Sequence, residues 1–106
     1  MKSEEERQTQ VVGVGWYRRE QWPLLRAEAV DPAKLEDTYD EWLRIGQKLV
    51  LDLATAGVTA KRVDVDVNHL VAWCHESARP LDAAARAEYV TRKLRDEHEH
   101  SGDDTT

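Results

Sequence analysis

The segment 60–67 reads AKRVDVDV and decides the fold class of this chain of 106 residues. Apolar and charged residues alternate along it, so Val63, Val65 and Val67 are expected to face a core while the residues between them face away. The next residues, NHLVAWC at 68–74, carry the spacing of a helix. A strand that passes almost directly into a helix is therefore the central unit of the predicted fold.

A second strand is predicted at residues 11–18, VVGVGWYR, which are rich in β-branched and aromatic side chains. Gly13 and Gly15 share one of its faces with Tyr17. Glycine weakens a strand, so two on one face indicate that another part of the protein approaches the backbone closely there.

Helical patterns fill the rest of the body. They cover residues 20–29, residues 32–56 behind a predicted cap at Asp31, the stretch from residue 68 to the position before Pro80, and the residues that follow a cap at Asp82. The order is strand, helix, helix, strand, helix, helix. Two strands joined through helices are expected to pair in parallel with a right-handed crossover. The prediction is an α/β domain with two short parallel strands and a predominantly helical body.

The helix of residues 32–56 has the longest apolar stripe, with Gly46 in its middle. Glycine inside a helix costs about 1 kcal/mol relative to alanine, which indicates a close crossing at Gly46. The stripe also resembles three and a half heptads of a coiled coil. Packing against the core is the favoured interpretation, with coiled-coil pairing as the alternative.

The charge balance separates a neutral body from two acidic ends. The chain holds 15 Lys and Arg and 21 Asp and Glu, a net charge of -6. Residues 1–10 carry two positive and three negative groups, and residues 96–106 carry five negative groups. Residues 11–95 therefore hold 13 of each sign. We predict one domain at 11–95 between disordered acidic tails at 1–10 and 96–106, and no nucleic-acid partner, because such a partner requires a basic stripe.

Hydropathy and cysteine content place the chain in the cytoplasm. No apolar run approaches the roughly 20 residues of a membrane span, so no membrane partner is expected. The opening MKSEEERQTQ is too acidic for a signal peptide. A single cysteine, Cys74, forms no internal disulfide and is expected to be a small buried side chain.

Four segments give the chain a resemblance to a family of small, uncharacterised bacterial proteins. They are GVGWYRREQW at 13–22, LEDTYDEWL at 35–43, RVDVDVNHLVAWC at 62–74 and ARAEYV at 85–90. Together these segments span most of the body. The resemblance implies a bacterial, cytoplasmic protein and carries with it no activity, cofactor or partner.

The carboxyl ends of the two strands form the best candidate site. In an open α/β sheet, ligands bind beyond these ends. One strand offers Tyr17, Arg18 and Arg19 there, and the other offers residues that precede or open a helix. The predicted ligand-binding set is Tyr17, Arg18, Arg19, Asp66, Asn68 and His69. Basic side chains and helix N-termini favour an anionic ligand. The alternative is structural: Asp66 caps a helix, an arginine pairs with it, and His69 lies in solvent.

The spacing of acidic, histidine and cysteine residues matches no metal-binding or catalytic motif. Asp64, Asp66 and His69 are possible ligands of a hard cation, but their spacing matches no metal loop. Cys74 and His75 are adjacent on a helix and point about 100° apart, which does not suit a shared metal or a nucleophile–base pair. We predict no metal, no cofactor and no catalytic residues.

These observations favour a non-enzymatic protein-interaction or regulatory module. A small enzyme or a binder of anionic ligands at the strand ends is the alternative, so enzymatic activity is left open. A two-stranded sheet has open edges and needs cover, which predicts a homodimer. Its interface is expected on a sheet face that carries Gly13, Gly15 and Tyr17 together with the charged residues of the second strand, Arg62, Asp64 and Asp66. The alternative is a monomer whose long helix or last helix folds over that face.

Overall fold

The computed structural model of the chain describes the backbone of residues 10–105 and the side chains of residues 10–97. Its elements in chain order are β1 (Gln10–Tyr17), α1 (Trp22–Glu28), α2 (Tyr39–Thr55), β2 (Val58–Val65), α3 (Val67–Glu76) and α4 (Ala83–Thr105). Short 3-10 turns at Arg19–Gln21 and Pro32–Lys34 join them. β1 and β2 pair in parallel. The predicted fold class, an α/β fold with a helical body, is confirmed.

The parallel register assigns each side chain to a sheet face. Gly15 pairs with Val63 and Tyr17 with Val65, and partners in adjacent strands point to the same side. The glycines therefore share a face with the buried valines of β2, opposite to Arg62 and Asp64. The prediction that the glycines and these charged residues form one face is wrong.

Helices cover both faces of the sheet. α4 lies on the glycine face, where Val90 and Leu94 approach Gly13 and Gly15. α2 lies on the other face, where Gly46 approaches the ring of Trp16. The glycine face is thus closed within one chain and is not free to meet a second copy, which overturns the predicted location of the dimer interface.

The helix before β2 is shorter than predicted. It begins at Tyr39, where Thr38 accepts from the Glu41 amide and Glu41 accepts from the Thr38 amide in a reciprocal cap. Asp31 caps no helix of its own and instead pairs with Arg86. The end of α2 is as predicted: Gly57 adopts a φ of 84°, which L-residues avoid.

The starts of α3 and α4 follow the predicted caps, whereas α3 ends at Glu76, before the predicted end next to Pro80. Asp66 caps α3 by accepting from the Asn68 amide, and Asp82 accepts from the Ala85 amide at the start of α4. α4 continues to Thr105, so the backbone of residues 96–105 is helical where we expected a disordered tail. Residues 1–9 lie outside the described residues.

The core lies between α4 and the sheet and extends beneath α1 and α3. Val63, Val65, Leu25 and Leu70 have no exposed surface. Cys74 is buried among them, as predicted. The core residues are Tyr17, Trp22, Leu25, Val63, Val65, Val67, Leu70, Cys74, Leu81, Ala85 and Val90.

Candidate functional site

An ion-pair cluster occupies the carboxyl ends of the two strands. Arg18 follows β1, and its guanidinium lies 2.6 Å from the Asp64 carboxylate and 3.5 Å from that of Asp66. β2 supplies Asp64 and the cap of α3 supplies Asp66, so the parallel pairing brings all three together. The Arg18 guanidinium therefore lies between the two carboxylates, at the position that a metal ion would occupy if this pair bound one.

Gln21 joins the 3-10 turn after β1 to the start of α3. Its amide nitrogen donates to Asp66 at 3.0 Å, and its amide oxygen accepts from the Val67 N–H at 2.8 Å. Asp66 also accepts from the Asn68 N–H at 3.0 Å. The Gln21 side chain therefore completes the N-terminal cap of α3. Sequence reasoning missed it, because the pairing spans 45 residues and no local spacing marks it.

Hydrogen bonding favours the ionised form of both carboxylates of the cluster. The Arg18 guanidinium lowers the pKa of Asp64. The Gln21 amide, followed by the Asn68 N–H, lowers the pKa of Asp66. A carboxyl group with a lowered pKa is a poor proton donor or acceptor near neutral pH. The arrangement is therefore suited to fixing the strand ends to α3 and not to acid–base chemistry.

The structure brings together four of the six predicted ligand-binding residues. Arg18, Asp66 and the Asn68 backbone meet directly, and the exposed His69 ring lies 3.9 Å from Asp66. Tyr17 and Arg19 lie outside this group.

Tyr17 and Arg19 both turn toward the start of α2. The Tyr17 carbonyl accepts from the Tyr39 hydroxyl at 2.8 Å, while its side chain enters the core. The Arg19 guanidinium pairs with Asp40 at 2.8 Å and lies over the Tyr39 ring. These contacts anchor α2 to the end of β1.

A second candidate surface follows the outer edge of β1, on the side away from β2. A cavity of about 440 Å³ opens along the strand there, between the helices on the two sheet faces. We call it the β1 groove. Its lining residues are Val12, Gly13, Val14, Gly15 and Tyr17 of β1, Leu49 and Leu53 of α2, and Arg86, Ala87, Val90 and Thr91 of α4.

Exposed apolar side chains border the β1 groove. Val11 and Val12 of β1 are 53% and 41% exposed, and Ile45 and Leu49 of α2 are 53% and 44% exposed. Ile45, Leu49 and the groove residue Leu53 follow each other at i, i+4 spacing, so they form one stripe along α2. Such a clustering of exposed apolar groups is typical of a surface that meets another molecule.

Polar groups lie on the α4 side of the β1 groove. Arg86 is nearly buried and pairs with Asp31 at 2.9 Å, and Asp31 also accepts from the Ala83 N–H. Burial raises the pKa of the Tyr17 hydroxyl and outweighs the opposing effect of Arg86. The ion pair with Asp31 ties α4 to the turn before α2 and positions this wall of the groove.

Comparison with known proteins identifies no relative of the chain. The chain matches no protein-family model, and no curated protein or solved structure is significantly similar to it. The resemblance to a bacterial family therefore stays a prediction. Within the described part of the chain, no helix is long and apolar enough to cross a membrane.

Proposed function

We propose that the chain is a non-enzymatic protein-interaction module of the bacterial cytoplasm, and that it binds its partner along the β1 groove. One observation carries the proposal. The outer edge of β1 has no strand paired to it among residues 10–105, and apolar side chains exposed to solvent flank it.

The composition of β1 supports this interpretation. The strand reads QVVGVGWY and contains neither a charge nor a proline. In monomeric proteins, exposed edge strands usually carry charged residues or proline, which prevent pairing with other chains. An uncharged edge of eight residues is a template to which a further strand can add through backbone hydrogen bonds.

The ion-pair cluster gives weaker support to the alternative, an anionic-ligand site at the strand ends. Arg18 and Lys93 are the cations there, and Asp64 and Asp66 are the anions. These charges balance, so an incoming anion gains no net attraction and must compete with two carboxylates for Arg18. The geometry therefore favours the interaction module.

The test compares two substitutions on one helix. Leu49 lines the β1 groove, whereas Leu51 is 66% exposed and points about 200° away around α2. The full chain, Leu49→Lys and Leu51→Lys are immobilised and exposed to a lysate of the native host. We expect the full chain and Leu51→Lys to retain the same protein and Leu49→Lys to lose it. Identical retention by all three would refute binding at the groove.

A further inference from the structure

We infer that the partner at the β1 groove is a second copy of this chain, paired antiparallel with β1 about a two-fold axis. The inference rests on the proposed function and names its partner. The two-stranded sheets of the copies then join into one four-stranded sheet, with the two β1 strands at its centre.

The size of the sheet is the first argument. β1 and β2 form a sheet of only two strands, so the outer edge of β1 has no strand paired to it among residues 10–105. Such an edge presents a row of unpaired N–H and C=O groups to which another strand can add. β1 is the strand that carries the groove and the exposed apolar residues. Joining two copies there pairs both β1 edges and turns β1 from an edge strand into a central one.

Charge is the second argument. A two-fold contact sets the same surface of the two copies face to face, so an edge rich in one charge would meet the same charge. β1 has no charged residue between Gln10 and Tyr17. An antiparallel β1 pair is consequently free of like-charge repulsion. A foreign peptide with charged residues would find no opposite charge on the strand itself to recognise.

The two walls of the groove are the third argument. A two-fold axis perpendicular to the sheet keeps each face on its own side, so α2 meets α2 and α4 meets α4. On the α2 side, Ile45 and Leu49 are exposed and would be covered by the same stripe of the second copy. On the α4 side, the small residues Ala87 and Thr91 line the groove and leave room for a neighbouring strand.

The faces of the two sheets stay aligned across the β1–β1 contact when the two-fold axis passes near Gly13 or Val14. With the axis at Val14, Gly13 of one copy opposes Gly15 of the other, and Val12 opposes Trp16. With the axis at Gly13, Val12 opposes Val14. In both cases, residues on one face of a copy meet residues on the same face of its partner, as a continuous sheet requires.

Sedimentation equilibrium of the full chain tests the inference. The monomer mass is 12.2 kDa, and we expect about twice that mass at micromolar concentration. Leu49→Lys should raise the dimer dissociation constant at least about tenfold, because it introduces like charges into the α2–α2 contact. Leu51→Lys, which is more exposed but points away, should leave the constant within about twofold. A chain that stays monomeric, or a dimer that Leu49→Lys leaves intact, would overturn the inference.

Hydrogen exchange provides a readout that needs no variant. Every second amide of β1 points away from β2. On concentrating the protein through its dissociation constant, these amides should become protected at least about tenfold, while amides of the α3 surface keep their rates. Concentration-independent exchange along β1 in a dimer would place the interface elsewhere and overturn the inference.

The outcomes separate this inference from the proposed function. A monomer that retains a different protein through Leu49 overturns the second copy as partner and leaves the interaction module standing. A monomer whose lysate binding does not depend on Leu49 overturns both.

Discussion

The two faces of the sheet solve the same packing problem in opposite ways. On one face the strand lacks side chains at Gly13 and Gly15, and α4 supplies the bulk of Val90 and Leu94. On the other face the strand supplies Trp16, and α2 lacks a side chain at Gly46. In each contact, large side chains of one element lie against glycine of the other, which lets a helix lie close to a sheet of only two strands.

The two contacts differ in how much room their neighbours have to move. A Cβ at Gly15 would lie 2.9 Å from Val90 Cγ2, and Val90 is buried. A Cβ at Gly46 would lie 3.2 Å from the ring of Trp16, which is half-buried and lies beneath the exposed Arg62 guanidinium. The glycine face of the strand is therefore the less tolerant of the two, and the following changes test that difference.

The largest expected effect is at Trp42, which links α2 to the aromatic end of β1. Its ring centroid lies between 5.1 and 5.5 Å from those of its four aromatic neighbours, Trp16, Tyr17, Trp22 and Tyr39. Trp42 is half-buried against the core, so Trp42→Ala should lower the free energy of unfolding by about 3 kcal/mol, the lower end of the range for large aromatic truncations in cores. Urea unfolding measures it, with Trp42→Phe as the milder control. A loss under about 1 kcal/mol would show that α2 adds little to this face.

Gly15→Ala should be the next most damaging change. Val90 must move to admit the methyl group, and overpacking of this kind costs about 1 to 3 kcal/mol. Val90→Ala in the same chain removes the obstructing Cγ2. The double variant should therefore lose less stability than the sum of the two single variants, as a thermodynamic cycle by urea unfolding would measure. Additive losses would mean that Gly15 and Val90 do not limit each other.

Gly46→Ala should be close to neutral, in contrast to Gly15→Ala. Alanine inside a helix gains about 1 kcal/mol over glycine, and a small shift of the Trp16 ring takes back a similar amount. The expected change in the free energy of unfolding is under about 1 kcal/mol in either direction. A destabilisation as large as that of Gly15→Ala would show that the two faces are equally rigid.

The sequence predicts which residues of the two faces are buried or closely approached, but it does not predict which residues contact them. Alternation along 60–67 identifies the buried valines, and the glycines of β1 and Gly46 indicate close approaches, because both signals are local. The partner of each glycine is not local. Gly15 contacts Val90, which lies 75 residues later in the chain. Only the strand register shows that the glycines share a face with Val63 and not with Arg62.

The same limit applies to the site residues. Asp66 is identifiable as a cap because the acceptor lies two residues from its donor. Asp31 carries the same signal beside Pro32 but pairs with Arg86, 55 residues away. The true start of α2 was readable in Thr38 and Glu41, whose spacing is that of a capping box. The β1 groove depends on where two helices lie relative to one strand edge, which no short pattern encodes.

Low pH should destabilise the fold by weakening the ion pairs that support both faces of the sheet. Hydrogen bonding from Arg86 lowers the pKa of Asp31 beneath α4, and Arg18 lowers that of Asp64 at the end of β2. A lowered folded pKa means that the unfolded chain takes up protons first as pH falls. The stabilisation is therefore complete above about pH 5 and is lost as pH falls below the ordinary aspartate pKa of about 3.9.

Thermal melting between pH 6 and pH 3 measures this loss. Asp31→Asn should already be less stable at pH 6 and should show a smaller fall on acidification than the full chain. An equal fall in both would mean that the pair between Asp31 and Arg86 does not contribute to the acid sensitivity.

The smallest effect is expected from trimming both ends of the chain to residues 10–97. The helix on the glycine face is 23 residues long, but its contacts with the two glycines are made by Val90 and Leu94. The sequence beyond residue 97, HEHSGDDTT, has no apolar residue, and the sequence before residue 10 has none after Met1. Neither end can bury much apolar surface against the sheet. The trimmed chain should melt within a few degrees of the full chain and keep the difference between Gly15→Ala and Gly46→Ala. A large drop in melting temperature, or loss of that difference, would show that an end segment helps to hold α4 against β1.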